Sequence, residues 1–95
     1  MIVYEKKTKT NTKIAPIISF FVKEILRILE LRNWKKGDGL ATISISTREH
    51  EYCYDAIRMV EKTFRRMKCE CKMTYYYRTE SSKTFAYVWE IKEMK

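Results

Sequence analysis

CECKMTYYYR (69–78), TESSK (79–83) and TFAYVWEIK (84–92) decide the fold. The outer two stretches alternate apolar with polar residues and are rich in aromatic and β-branched types, while the middle one is a polar turn. Together they read as a β-hairpin with long arms. Along the last arm Phe85, Tyr87, Trp89 and Ile91 line one face, with Ala86 and Val88 on the other. Both faces are then fairly apolar. This suggests that part of the second face is covered, most simply by another copy of the chain.

Toward the N-terminus, Cys53, Ala56, Ile57, Val60, Phe64 and Met67 recur at helical spacing. Thr47-Arg48-Glu49-His50 opens that helix, with Thr47 as N-cap, and the helix ends near Lys68. Residues 40–46 alternate Ala41, Ile43 and Ile45 with Thr42, Ser44 and Ser46, a half-buried strand. Gly37 and Gly39 mark the turn before it. An earlier helix spans 16–34, with Pro16 in its first turn and Ile18, Phe21, Val22, Ile25, Leu26 and Leu29 on its apolar face. Its first half (Ile17, Ile18, Phe20, Phe21, Val22) is apolar nearly all round, which suggests a subunit contact. Residues 2–4 read as a short first strand and 8–13 as loop. Trp34 and Trp89 read as core or interface anchors.

The predicted order is β-α-β-α-β-β. A right-handed crossover sets the first two strands parallel. The expected fold is an α/β two-layer sandwich: a mixed four-stranded sheet, two helices on one face and a long C-terminal β-hairpin. At 95 residues it forms one domain, 1–95.

Twenty Lys and Arg face twelve Asp and Glu, a net charge of +8 that calls for an acidic partner, nucleic acid first. No apolar leader precedes Lys13 and Lys23, Glu24, Arg27 and Glu30 interrupt the longest apolar segment, so a soluble cytoplasmic protein with no membrane partner is expected. Three cysteines are an odd number, against a secreted disulfide framework. His50 with Cys53, Cys69 and Cys71 offers donors for a zinc ion, and Cys53 could bridge to Cys69 or Cys71. The spacing matches no finger pattern, and buried thiols are the ordinary reading. With one His, no nucleophile elbow and no phosphate-cradling glycine loop, the chain reads as no enzyme, with no cofactor and no small-molecule substrate.

The order of elements resembles that of the Alba family of archaeal chromatin and RNA-binding proteins, a fold shared with the C-terminal domain of bacterial translation initiation factor three. Thr47-Arg48-Glu49-His50-Glu51-Tyr52-Cys53-Tyr54-Asp55 is similar to the Alba segment Gly-Arg-Ala-Ile-Ser-Lys-Ala-Val-Asp. Arg48 and Asp55 match; Thr47 stands where the family has Gly, and Tyr52 where it has Lys. Small basic proteins of crenarchaeal viruses have a similar composition. The resemblance implies a homodimer without a catalytic centre, whose hairpins project as arms around DNA or RNA.

The candidate contacts are Lys6, Lys7, Lys9 and Lys13 before the first helix, Arg48 at the start of the second, and Tyr76, Arg78 and Lys83 on the hairpin. The lysines would neutralise phosphates beside free helix N–H groups. Strict alternation puts Tyr76 with Lys72, Thr74 and Arg78 on one face, and Tyr75 and Tyr77 on the other, where they cover the sheet or stack on bases. The basic residues after Arg48 read as a solvated helix face interleaved with Glu61. The function expected is non-enzymatic, backbone-directed nucleic-acid binding by a homodimer. The alternative is a small viral interaction module whose basic surface meets an acidic protein.

Overall fold

The computed structural model describes residues 2–94, with side chains from 14 onward. It has five elements: α1 (Ile2–Leu31), β1 (Ala41–Thr47), α2 (Tyr54–Arg66), β2 (Cys69–Thr79) and β3 (Thr84–Glu93). The hairpin, the strand before α2 and the centres of both helical stripes lie where the sequence places them, but Leu26 and Met67 are exposed and Cys53 and Met67 only flank α2.

The first strand does not exist. Residues 2–13 continue α1 toward the N-terminus, so neither the strand at 2–4 nor the loop at 8–13 forms. The physical reason is the lack of any terminator: no Gly or Pro occurs between Ile2 and Ala15. The threonines there each cost only a few tenths of a kcal/mol against better helix formers, roughly 0.7 at most. Pro16 consequently lies inside the helix, where it leaves the Thr12 carbonyl without its intrahelical donor.

With that strand gone, the four-stranded mixed sheet is replaced by three strands in the order β1-β3-β2, antiparallel at both junctions. β1 and β2 therefore run parallel, but β3 lies between them. Ile43, Trp89 and Met73 make one row across the sheet, and Ile45, Tyr87 and Tyr76 the next. A β-bulge between Met73 and Tyr75 adds one residue to β2, so side chains after it swap faces relative to strict alternation.

Both helices bury their stripes on the same face of this sheet. Phe21, Ile25 and Leu29 of α1 and Ile57, Val60 and Phe64 of α2 meet the inward residues of all three strands. Central β3 supplies the floor: Tyr87, Trp89 and Ile91 are at most 1% exposed. Full burial of such side chains contributes about 1.5–3 kcal/mol each, which is why the central strand fixes the core. Ile17, Ile18, Phe20 and Val22, whose apolar character suggested a subunit contact, pack on this same core.

The second helix begins later than its sequence suggests. β1 runs through Thr47, which pairs with Phe85. The Thr47 hydroxyl accepts the Glu49 N–H at 3.1 Å and so shapes the turn leaving the strand. The N-cap of α2 is Cys53, which makes no side-chain cap bond. No helix of the described residues is long and apolar enough to cross a membrane.

Candidate nucleic-acid interface

α2 turns Ala56, Ile57, Val60 and Phe64 inward, so the 3.6-residue period sends Arg58, Lys62, Arg65 and Arg66 outward. Glu61 was expected to interleave with them. Its carboxylate instead reaches the sheet and accepts the Met73 N–H at 3.2 Å, beside the bulge in β2. The ion pairs among the described residues are Arg27–Glu24 and Lys92–Glu70, so among those residues no carboxylate lies within bridging distance of the α2 cations. Arg58 is held by a neutral group: it donates to the Tyr54 hydroxyl at 2.8 Å and lies over that ring. The outer face of α2 is thus a mainly basic stripe, with exposed Asp55 one turn before Arg58.

Lys68 extends the stripe beyond the helix end with φ of 63°, in the left-handed region where helix C-termini usually place glycine. Lys83 repeats this in the β2–β3 turn, with φ of 52°. Among the described residues, two of the three non-glycine residues with positive φ are therefore lysines, a type with no intrinsic taste for that region.

The structure redistributes the hairpin residues. Tyr76 stands opposite buried Tyr87 on the helix-facing side, with its ring 5.0 Å from Tyr87 and 5.1 Å from Tyr52. It belongs to an aromatic ladder that continues through Phe21 to Trp89. The Tyr87 hydroxyl anchors this ladder by donating to the His50 carbonyl at 2.6 Å. Lys72 leaves the face assigned to it, because the bulge puts it on the open face with Tyr75 and Tyr77. On that face Tyr75 and Tyr77, opposite Val88 and Ala86, are 58% and 48% exposed.

Arg48 is exposed in the loop after β1, not at a helix start, so no helix dipole acts on it. The row Thr47–Phe85–Arg78 nevertheless places Arg48 and Arg78 at one end of the sheet, about 10 Å apart across three strands. Arg78 lies over the Phe85 ring, and exposed Lys83 occupies the adjoining turn. Lys6, Lys7, Lys9 and Lys13 fall within α1 rather than ahead of it, so the helix start near Pro16 invoked for them is not there. Their side chains lie outside the described residues.

Cys53, Cys69 and Cys71 are all free, and the latter two are buried. Burial, with Glu61 and Cys69 nearby, pushes the Cys71 thiol up to about 12, so it is protonated at neutral pH. Among the described residues no group of three His, Cys, Asp or Glu is placed to hold a metal ion. The His50 ring lies against Phe20 at 4.7 Å.

Sequence reasoning counted the cations of α2 but passed over them, because the direction of Glu61 depends on a contact with another element. The element order behind the Alba resemblance is not the order observed, since its first strand is helix. No family model, no curated protein and no solved structure matches the chain.

Proposed function

We propose that this is a cytoplasmic, non-enzymatic nucleic-acid-binding protein that holds the phosphate backbone with little base specificity. The observation that carries the reading is the α2 stripe: Arg58, Lys62, Arg65, Arg66 and Lys68 project from a rigid element while Glu61 is committed to Met73. Arg48, Arg78 and Lys83 add a second cationic zone at the hairpin end. Free thiols suit a reducing compartment. The α1 side chains that suggested self-association pack on the chain's own core, whereas Ala86 and Val88, the other ground for it, lie on the open sheet face.

Mobility shifts on duplex DNA, single-stranded DNA and RNA across a salt series test this. If the four α2 cations and Lys68 each meet a phosphate, the log–log salt slope on duplex DNA is about −4.5. The variant Arg58→Ala/Arg65→Ala should flatten it by about 1.8. No shift at low salt with any of the three ligands refutes the reading and favours an acidic protein as the partner.

A further inference from the structure

The second face of the sheet, turned away from both helices, has two unlike halves. From β1 it receives Thr42, Ser44 and Ser46, the small polar residues expected of a wet surface. From edge strand β2 it receives Tyr75 and Tyr77, among the most exposed large side chains described. Their cross-strand neighbours on β3, Val88 and Ala86, are short and leave both rings uncovered. Lys72 flanks them on the same face and Lys83 lies toward the turn, while Arg78 is on the other face over Phe85. The acidic residues nearby are Glu90, opposite Lys72, and Glu80 in the turn, while Glu70 is paired with Lys92.

We propose that Tyr75 and Tyr77 form a stacking platform for unpaired bases, so that the preferred ligand is a single-stranded nucleic acid crossing the open sheet face. This rests on the nucleic-acid reading above and narrows it. Aromatic faces accept any base and therefore add affinity without sequence choice, as a backbone-directed binder requires. The ring centroids are 5.6 Å apart. A base inserted between them needs about 7 Å, twice the roughly 3.5 Å contact distance, so each ring offers only its outer face. A second copy of the chain is the poorer occupant. Two tyrosines at about half exposure present on the order of 200 Å², whereas a stable dimer buries about 800 Å² per partner. Val88 and Ala86 between them add little area, and the remainder of the face is Ser, Thr and charged residues.

The test is fluorescence anisotropy with labelled single-stranded and duplex oligonucleotides of one sequence. Tyr75→Ala/Tyr77→Ala should weaken single-strand binding by about tenfold or more and leave duplex binding within about twofold. Tyr75→Phe/Tyr77→Phe should keep the wild-type affinity. Photocrosslinking of a 5-iodouracil single strand to the unmodified protein needs no variant to fold, and its adducts should map to Tyr75 or Tyr77. Single-strand affinity unchanged in the alanine variant, or adducts confined to α2, overturns the platform and leaves the backbone-binding reading standing. A lower solution mass for the alanine variant assigns the face to a second copy and also overturns it. Failure of the wild type to bind either oligonucleotide refutes the parent reading itself, and the platform with it.

Discussion

Replacing Lys68 and Lys83 by glycine should move stability and binding in opposite directions. Both lysines hold left-handed backbone, with φ of 63° and 52°. A residue with a Cβ is disfavoured there by about 1–2 kcal/mol. Glycine removes that strain but gains chain entropy on unfolding, which offsets roughly 0.5–1 kcal/mol. Each substitution should therefore stabilise by about 0.5–1 kcal/mol. The two sites sit at opposite ends of the 11-residue β2, so the double variant should gain about the sum. For a domain of this size, 1 kcal/mol raises the melting temperature by about 4–8 °C. Urea unfolding with an unchanged m-value reads the stability. Binding should change the other way: without two phosphate-neutralising ammonium groups, the duplex salt slope should flatten by about 1.8. Variants that are destabilised would show that the lysine stems contribute packing that outweighs their strain. Variants that are stabilised but bind with the wild-type slope would remove both lysines from the interface.

Three further outcomes are expected. Tyr87→Phe keeps the ring in the ladder but leaves the His50 carbonyl without its donor, and should cost about 1 kcal/mol in urea unfolding; wild-type stability would show that this hydrogen bond contributes nothing net. Burial raises the Cys71 thiol from 9.0 to about 12 and holds the Tyr87 phenol well above its ordinary 10.0, so each ionises more readily in the unfolded chain. Their contribution to stability is therefore complete below the unfolded-state values and is lost as pH climbs toward the folded ones. Urea midpoints should fall across pH 9 to about 12, less steeply in Cys71→Ala, and an equal slope in the two proteins would contradict the assignment. A thiol reagent on the native protein should modify half-buried Cys53 first, with Cys69 and Cys71 reacting only on unfolding; mass mapping of early adducts to β2 would show that its end opens.

The hairpin was legible because its alternation and its polar turn are both local signals, and β1 was legible, one residue early, from the run 40–46 for the same reason. The start of α2 was not. Thr47 has the chemistry of an N-cap, but pairing with Phe85 keeps it in β1, and its hydroxyl serves the turn at Glu49 instead. Residues 2–4 are β-favouring types, yet three residues with no neighbour to pair with cannot compete with an uninterrupted helix. Among the candidate contacts, Arg78 and Lys83 stayed at the hairpin end, while Tyr76 joined the aromatic ladder beside Tyr87.

Net charge, the helical stripes, the strand alternation and the surplus of aromatics follow from residues one to four positions apart, and the sequence alone determined them. Sheet order, the bulge that carries Lys72 to the side of Tyr75 and Tyr77, and the turning of Glu61 away from its basic neighbours belong to the tertiary structure. Each depends on partners far along the chain: Glu61 with Met73, Tyr87 with His50, and β1 with β3. Counting charges shows how many cations there are, but only the folded contacts decide which carboxylates are already engaged and which cations remain to meet a ligand.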